Sequence, residues 1–407
     1  MLICGQKSNL RTKNKGQMIS ITLKPKKEES LRRFHPWVFS GAIQHIKGKP
    51  KEGEIVEVLD FNSNFLAIGH YQIGSIAVRI LSFEQQPIDC SFWKNKIRRA
   101  YEMRQSLGLI DATNNTYRLI HGEGDSLAGL IVDVYGDTAV MQAHSVGMHE
   151  VRTALAQAIV DSVPEVRNVY YKSETTLPFN APITPEDGYL IGQETAQNTV
   201  ENGLKFHVDW LRGQKTGFFI DQRENRMLLE QYAKDKAVLN MFCYTGGFSV
   251  YAMRGGANLV HSVDSSAKAI ELTDKNVATN FPADNSHASF AEDAFKFLNE
   301  NKQKYDLIIL DPPAFAKHRD ALRNALKGYK RLNAKAFEQI KSGGIVFTFS
   351  CSQVVNKEQF RLAVFSAAAE SKRNVRILHQ LTQPADHPIN IYHPEGEYLK
   401  GLVLWVE

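Results

Sequence analysis

Residues 305–315 read YDLIILDPPAF, and this stretch decides the fold. The apolar run predicts a buried strand, Asp311 marks its end, and the two prolines prevent the strand from continuing. Three earlier stretches repeat this arrangement of a strand followed by a polar loop, with helical patterns between them: AVLNMFCYTGG (237–247), LVHSVDSS (259–266) and HASFAEDAF (287–295). Strands that alternate with helices predict a parallel sheet in a Rossmann-like α/β domain.

Three further segments complete the predicted sheet. A fifth strand, GGIVFTFSCS (343–352), follows a long helical stretch, and the chain closes with VRILHQL (375–381) and YLKGLVLWVE (398–407). We expect the last two to form a terminal antiparallel hairpin at one side of the parallel strands.

Ligands of open α/β sheets bind beyond the carboxyl ends of the strands, so the predicted site consists of the residues that follow each strand. Glycines in the first loop let backbone approach a ligand, and Asp264 stands where it can accept both ribose hydroxyls of an adenosine. The predicted cofactor-binding residues of these loops are Asn240, Phe242, Tyr244, Thr245, Gly246, Asp264, Ser265, Asp293, Ala294 and Asp311.

The first loop also limits the choice of cofactor. Its sequence, CYTGGF, does not match the GxGxxG that a nicotinamide cofactor requires, and the chain contains no GxxxxGK[ST] phosphate loop. A cofactor with ribose and adenine but no phosphate fits best, which indicates S-adenosylmethionine.

The chain ahead of this domain has a different character. Residues 18–88 read as short strands broken by turns, which predicts a small β-barrel or sheet domain, and residues 89–200 mix helices and strands in a central α/β domain. The sheet domain described above occupies residues 201–407. We interpret the polar turn at residues 121–125, HGEGD, as a tight hairpin turn rather than a catalytic loop.

The net charge of +5 lies mainly in residues 1–17, which hold four basic residues and no acidic one. This segment lacks the apolar stretch of a secretory signal, so we expect a disordered tail ahead of an alternative start at Met18. The sequence does not decide whether the tail belongs to the natural protein.

Several classes of protein are excluded. No apolar run reaches the roughly 20 residues of a membrane span, and the four cysteines are scattered, without a CxxC pair or a His cluster at ligand spacing. We therefore expect no metal, no membrane association and a cytoplasmic location.

Seven segments carry a resemblance to a known family. They are RRFHPWVFSGAI (32–43), HGEGDSLAGLIVDVYGD (121–137), KTGFFIDQRENR (215–226), LNMFCYTGGFSVYA (239–252), VDSS (263–266), DPPAF (311–315) and FSCS (349–352). They resemble the large-subunit rRNA cytosine-C5 methyltransferase I family from about Ile19 to the carboxyl terminus. The resemblance implies a PUA-type RNA-binding domain at residues 18–88 and an S-adenosylmethionine-dependent enzyme acting on 23S rRNA. It also carries over Gln222 and Arg223 near the cofactor and Lys215 near the target.

Cytosine C5 is a poor nucleophile, so its methylation uses a thiolate that adds to C6 and a carboxylate near N3. Cys351 directly follows the strand GGIVFTFS, which makes it the candidate nucleophile, and Asp311 is the candidate group at N3. Cys243 is the rival thiol, although packing is the more natural role for a cysteine in the first loop. The sequence does not show which group removes the C5 proton.

The DPP motif also leaves other specificities open. In amino-methyltransferases an aromatic residue directly follows [DN]PP, whereas here Ala314 separates Pro313 from Phe315. The alternatives are therefore an rRNA methyltransferase that modifies N6 of adenine or N2 or N7 of guanine, or a non-catalytic RNA-binding ribosome assembly factor. We predict that Pro312 and Phe315 contact the target base.

A basic stretch follows this motif. Residues 317–341 contain eight basic and two acidic residues, and those predicted to contact RNA are Lys317, Arg319, Arg323, Lys327 and Arg331. The predicted partner is 23S rRNA before the subunit is fully assembled, because a base already paired in a stem must be flipped out at a cost. The modified nucleotide and the oligomeric state, including a homodimer, stay open.

Overall fold

The computed structural model describes residues 19–178, 181 and 183–407, so the predicted tail at residues 1–17 and Cys4 lie outside the described residues. The described chain divides into two compact units. The first contains the residues up to Val200 together with 208–217 and 385–396, and the second contains 201–207, 218–384 and 397–407. The predicted boundaries at residues 88 and 200 stay predictions.

The first sheet of the first unit has six strands in the order β2-β6-β5-β4-β1-β3. Its elements are β1 (Ser20–Leu23), α1 (Glu29–Arg32), β2 (Trp37–Phe39), β3 (Ile43–Lys47), β4 (Ile55–Leu59), β5 (Phe65–Tyr71) and β6 (Ile76–Ser82). Only the β1–β4 pairing is parallel among these strands. Alternating residues such as Val56 and Val58 point inward, which explains the period-two pattern of the sequence.

The second sheet of this unit has five strands in the order β11-β10-β9-β8-β7. The elements of this region are α2 (Cys90–Ser106), β7 (Thr116–His121), β8 (Leu130–Tyr135), β9 (Thr138–Ala143), α3 (Val146–Glu150), α4 (Arg152–Ser162), β10 (Asn168–Tyr171) and β11 (Gly188–Ile191). Two more strands follow, β12 (Asn198–Glu201) and β13 (Leu204–His207).

The turn at residues 121–125 differs from the prediction in its detail. β7 and β8 pair antiparallel, but a 3-10 helix at Gly122–Asp125 and further residues connect them, so the connection is not a tight hairpin turn. The physical reason is Asp125, whose carboxylate is buried and forms a bidentate ion pair with Arg104 of α2. This acidic residue therefore has a structural role in holding the loop against the helix.

The sheet of the second unit has seven strands in the order β16-β15-β14-β17-β18-β20-β19. Its elements are α5 (Arg223–Tyr232), β14 (Ala237–Met241), α6 (Gly247–Arg254), β15 (Leu259–Asp264), α7 (Ala267–Asn280), β16 (His287–Ala291), α8 (Ala294–Glu300), β17 (Tyr305–Leu310), α9 (Leu322–Gln339), β18 (Ile340–Ser350), α10 (Lys357–Ser371), β19 (Val375–Leu381) and β20 (Lys400–Val406). The strands β14 to β18 are parallel and β20 is antiparallel to both of its neighbours.

The predicted Rossmann-like fold with a terminal antiparallel pair is therefore confirmed. The final two strands are joined by residues 382–399 rather than by a short turn, and the last strand lies between β18 and β19. Consecutive apolar residues such as Leu307 to Leu310 are all buried, because helices cover both faces of a parallel sheet.

Candidate active site

The strand ends of the second unit form one row at the carboxyl edge of the sheet. The parallel register aligns Val263, Met241, Leu310 and Thr348 on four neighbouring strands. Asp264, Phe242 and Asp311 follow the first three of these residues directly. The register therefore brings three predicted ligand residues from three different loops to one edge.

The first loop has an unusual backbone. Phe242, Tyr244 and Gly246 have φ values of 59°, 49° and 76°, and the first two are residues for which this region is unfavourable. The Tyr244 N–H donates to Asp264 Oδ2 at 3.0 Å, which holds the loop to the next strand. A Cβ at Gly246 would lie 2.7 Å from the Thr273 side chain, so glycine is required there for space as well as conformation.

Two polar residues of this region lie deeper than the sequence suggested. Asn240 is buried on β14 and donates from Nδ2 to Ser249 Oγ at 2.8 Å, whereas its Oδ1 is buried without a hydrogen-bond partner among the described residues. Thr245 is also buried, and its carbonyl accepts from Asn276 Nδ2 at 2.9 Å. Both residues shape the loop, and their predicted contact with a cofactor stays a prediction.

The acidic residues after the next two strands accept backbone N–H groups. Asp264 accepts from Tyr244 through Oδ2 and from Ser266 through Oδ1, at 3.0 and 2.9 Å. Asp293 is the N-cap of α8 and accepts from the Lys296 N–H at 3.0 Å. Each carboxylate oxygen has a second lone pair, so these bonds leave capacity for ligand hydroxyls or amines. Ser265 is exposed and Ala294 is buried at the start of α8.

Asp311 receives a hydrogen bond from a residue of the KTGFFIDQRENR segment. Gln222 is buried and donates from Nε2 to Asp311 Oδ2 at 3.0 Å, and its own Oε1 accepts from Asn225. Burial, and second the negative charge of Asp221, raise the pKa of Asp311 to about 7. Gln222 thus touches a predicted catalytic group directly, and Arg223 is buried beside it as the first residue of α5.

Cys351 directly follows β18 and is partly exposed. Its Sγ lies 4.0 Å from the carbonyl oxygen of Pro312, which places the thiol against the DPP loop. Burial, followed by the charges of Asp311 and Asp221, raises the pKa of the Cys351 thiol to about 12, and Lys400 opposes this increase.

The rival thiol has a different environment. Cys243 is 6% exposed and lies within hydrogen-bonding range of Thr273 Oγ1, at 3.7 Å. Burial also raises its pKa to about 12. The two thiols therefore have similar pKa values and differ in accessibility. Of the two, Cys351 is the one that is partly exposed and can reach a substrate.

Lys400 was missed by the sequence reasoning. It is buried at the start of β20, opposite Ser350, and its Nζ donates to the carbonyls of Ser352 and Tyr398 at 2.5 and 2.6 Å. Burial lowers its pKa to about 8. No local motif marks Lys400, because it is the antiparallel register of β18 and β20 that places this lysine opposite Ser350 and so near Cys351.

Asp221 and Tyr398 form a pair that the sequence did not indicate either. The Tyr398 hydroxyl donates to Asp221 Oδ2 at 2.7 Å, whereas Asp221 Oδ1 is buried and has no hydrogen-bond partner within the described part of the chain. Asp221 stood in the quoted segment KTGFFIDQRENR, so the residue type was visible, but its partner lies in the last part of the chain.

Both residues predicted to contact the target base are at least partly buried. Pro312 is buried and Phe315 is half-buried. One side of the Phe315 ring packs against Tyr329, with ring centroids 4.6 Å apart. Lys215 belongs to the first unit, where its charge adds to the effect of burial in lowering the pKa of the partly buried His144, and its neighbour Thr216 donates to Asp133.

The basic stretch forms the exposed side of α9 and the turn before it. We define the basic row as Arg319, Arg323, Lys327 and Arg331, which are four residues apart and exposed. The last three share one side of α9, because residues i and i+4 are neighbours on a helix. Three other lysines of this stretch form ion pairs instead: Lys330 with Glu370, Lys335 with Glu338 and Lys341 with Asp306. Lys317 is exposed next to the DPPAF segment.

Comparison with known proteins identifies the family. A model described as a PUA-like domain matches residues 21–83, and a model described as an S-adenosylmethionine-dependent methyltransferase matches residues 187–391. The protein of Tolumonas auensis named ribosomal RNA large subunit methyltransferase I is 40% identical over 394 residues, covering 95% of this chain and 98% of that protein. The chain belongs to this family. The protein of the same name from Alteromonas mediterranea is also 40% identical, over 94% of this chain and 98% of its own length.

Solved structures agree on the fold. A protein from Streptococcus mutans described as a candidate SAM-dependent methyltransferase matches 96% of this chain and 100% of its own, with a TM-score of 0.81 and 23% identity. A candidate methyltransferase complexed with SAH matches the same shares with a TM-score of 0.82 and 24% identity. At this identity the likeness shows the fold alone.

This family member is an S-adenosylmethionine-dependent methyltransferase with a PUA-like domain and a Rossmann-like domain. The cofactor fits the residues present, because the positive-φ loop exposes backbone, Asp264 keeps lone pairs for ribose hydroxyls, and the buried Asn240 Oδ1 lacks a donor among the described residues. The predicted cofactor is confirmed, whereas the role of each residue stays a prediction.

Neither a membrane-spanning helix nor a metal-binding cluster is present among the described residues. No described helix is sufficiently long and apolar to cross a bilayer. No cluster of three or more His, Cys, Asp or Glu side chains within the described ranges is arranged to hold a metal ion.

Proposed function

We propose that this methyltransferase makes 5-methylcytidine in 23S rRNA through a covalent adduct between Cys351 and C6 of the target base. The names of the relatives support a large-subunit rRNA substrate. The observation that carries the C5 chemistry is the position of Cys351, partly exposed at a strand end, with its Sγ 4.0 Å from the carbonyl of Pro312 in the loop that begins with Asp311.

The raised pKa of Asp311 supports its role at N3 of cytosine. With a pKa of about 7 this carboxyl can both accept and donate a proton near neutrality. We assign it two transfers: it takes the thiol proton as the C6–S bond forms and passes that proton to N3. One proton then moves from sulfur to nitrogen. The step therefore needs no free thiolate, which is scarce at neutral pH when the thiol pKa is about 12.

Lys400 supports the same step. Its ammonium group is fixed by two backbone carbonyls, one of them that of Ser352, the residue after Cys351. Because its charge favours the ionised thiol, it stabilises the negative charge that develops on sulfur as its proton leaves.

The loops that begin at Asp264 and Asp311 would hold S-adenosylmethionine, which would supply an electrophilic methyl carbon and leave as S-adenosylhomocysteine when its S–CH3 bond breaks. Addition of sulfur to C6 makes C5 electron-rich, so C5 forms the new C–C bond with the methyl carbon. Loss of the C5 proton then restores the C5=C6 double bond and expels the Cys351 sulfur, and the proton on N3 returns to Asp311.

The basic row supplies the RNA contacts in this proposal. Its exposed cations lie on the helix that follows the DPPAF segment, so phosphates flanking the target base are their natural partners. Lys317 and Lys215 are assigned to the same RNA, and Pro312 and Phe315 to the target base. An unpaired nucleotide in rRNA that is not yet fully assembled is the expected substrate, because it needs no flipping out of a stem.

RNA containing 5-fluorocytidine tests the proposal. The fluorine cannot leave as a proton does, so the wild-type protein should remain covalently joined to this RNA in denaturing gels. The C351A variant should form no adduct and no 5-methylcytidine, and C243A should retain both. Absence of an adduct, together with methylation by C351A, would sink the covalent mechanism and favour the guanine or adenine alternatives. Mass spectrometry of rRNA nucleosides from cells with and without the gene identifies the methylated base and tests the assembly-factor alternative.

A further inference from the structure

We propose that Asp221 is the base that removes the C5 proton of the methylated intermediate, with the Tyr398 hydroxyl positioning its carboxylate. This inference rests on the proposed function, since a C5 proton is lost only in methylation at that carbon. It assigns the one step of the reaction for which no group has been identified.

The geometry of Asp221 is that of a held carboxylate with one free oxygen. Oδ2 accepts the Tyr398 hydroxyl at 2.7 Å, while Oδ1 is buried and has no partner among the described residues. Leaving a buried carboxylate oxygen without a hydrogen-bond donor is costly. Such an atom is available to accept a proton from a substrate.

Short contacts connect Asp221 to both predicted catalytic residues. Its neighbour Gln222 donates to Asp311 at 3.0 Å. Tyr398, which holds Asp221, also gives its carbonyl to the ammonium group of Lys400, which in turn donates to the carbonyl of Ser352 beside Cys351. The charge of Asp221 accordingly affects the pKa of both Asp311 and Cys351.

The other ionisable groups of this cluster are committed elsewhere. Asp311 hydrogen-bonds the protonated N3 until the product forms and then takes that proton back, so its carboxylate is engaged at N3 rather than at C5. Lys400 directs two of its N–H groups to backbone carbonyls and is cationic below a pKa of about 8, so at neutral pH it is a poor proton acceptor. Asp221 is the remaining carboxylate with an available oxygen.

The step balances in atoms and electrons. The C5–H bond breaks and its proton passes to Asp221. The electron pair of that bond forms the C5=C6 double bond, and the C6–S bond breaks with its pair returning to Cys351. Asp311 takes the proton back from N3 and returns it to the Cys351 thiolate, and the Asp221 proton exchanges with water, which resets the enzyme.

The test follows two labels, one on the RNA and one on the methyl donor. RNA carrying tritium at cytosine C5 is incubated with wild-type and D221N protein and [methyl-14C]S-adenosylmethionine, and released tritium is compared with transferred methyl. Wild type should release about one tritium per methyl. D221N should transfer at most one methyl per protein, retain the tritium, and accumulate a methylated protein–RNA adduct with release at least 100-fold slower.

Tritium release at the wild-type rate from D221N would overturn the assignment, as would absence of a methylated adduct in a folded D221N that still binds S-adenosylmethionine. D221E should restore release partly, and Y398F should slow release while methyl transfer remains. If D221N does not fold, unchanged release in Y398F overturns the positioning by Tyr398 and with it the proposal.

The proposed function fails in a distinguishable way. In that case the wild-type protein releases no tritium and forms no 5-fluorocytidine adduct. Failure of the Asp221 assignment alone leaves both wild-type results intact.

Discussion

The Nζ of Lys400 donates a hydrogen bond of 2.5 Å to the carbonyl of Ser352, the residue directly after Cys351. A buried cation is thereby fixed beside the candidate nucleophile, on a strand that is antiparallel to the one carrying the thiol. Since the charge of Lys400 lowers the pKa of Cys351 against the effect of burial, the relationship has measurable consequences.

Replacing Lys400 by Met should slow alkylation of Cys351 by iodoacetamide at least fivefold at pH 7.5, because the thiolate loses the positive charge that lowers its pKa. The measurement uses a background in which Cys4 and Cys90 are serine, and K335M serves as the control that removes a surface lysine. In the protein with Lys400 the advantage should fade above about pH 8, where this lysine becomes neutral. Equal alkylation rates in folded K400M and K335M would contradict the role of Lys400.

The D311N variant should be more stable than wild type at pH 8.5, and this difference should shrink towards pH 5. The folded-state pKa of Asp311 is raised to about 7, above the ordinary value of about 3.9. Below about pH 4 Asp311 is protonated in both the folded and the unfolded state, so it does not change the free energy of unfolding. Between about pH 4 and pH 7 only the unfolded state is ionised, and the free energy of unfolding of the wild type falls by about 1.4 kcal/mol per pH unit. Urea unfolding of both proteins at the two pH values measures this difference. A D311N protein that is less stable than the wild type at pH 8.5 would contradict a raised pKa of Asp311.

The pH dependence of kcat/KM should show the same group. Below pH 7 Asp311 is protonated and cannot take the thiol proton, so kcat/KM of the wild type should fall about tenfold per pH unit. The slower D311N variant should lack this limb when both are measured in single-turnover reactions. A limb at pH 7 that persists in D311N would assign it to another group.

Removing two charges of the basic row should weaken RNA binding. R323Q/K327Q should reduce the slope of log affinity against log salt by about 1 to 2, because each lost phosphate contact contributes roughly 0.7 to 0.9. K330Q/K335Q removes the same charge from the same helix, but its lysines already pair with Glu370 and Glu338. Fluorescence titration at several salt concentrations compares the two. Equal slopes would show that only net charge matters.

The ion pair between Glu201 and Arg226 should be a main source of stability in the second unit. Arg226 donates to Glu201 Oε1 and Oε2 at 2.9 and 2.7 Å, and both side chains are buried. E201Q should cost about 3–5 kcal/mol of unfolding free energy, because it leaves the buried guanidinium without a countercharge. E230Q, which removes the partner of partly exposed Arg254, should cost about 1 kcal/mol or less. Equal costs in denaturant titrations would contradict this difference.

Much of the active edge could be predicted from the sequence because its signals are local. A strand that ends in an acidic residue or a cysteine places that side chain at the carboxyl edge wherever the strand lies in the sheet, which is why Asp264, Asp311 and Cys351 were identified. The turn at residues 121–125 was predicted less accurately, because the buried partner of Asp125 is Arg104 on an earlier helix.

The sequence by itself determined the order of strands and helices, the cofactor class and the residue types at each strand end, since these depend on periodicity and on short motifs. Only the tertiary structure decided which distant residues share the site. Lys400 lies opposite Ser350 through antiparallel register, and Tyr398 bonds to Asp221 across 177 residues of chain. Register and loop closure depend on the packing of the whole sheet, so no local pattern in the sequence specifies them.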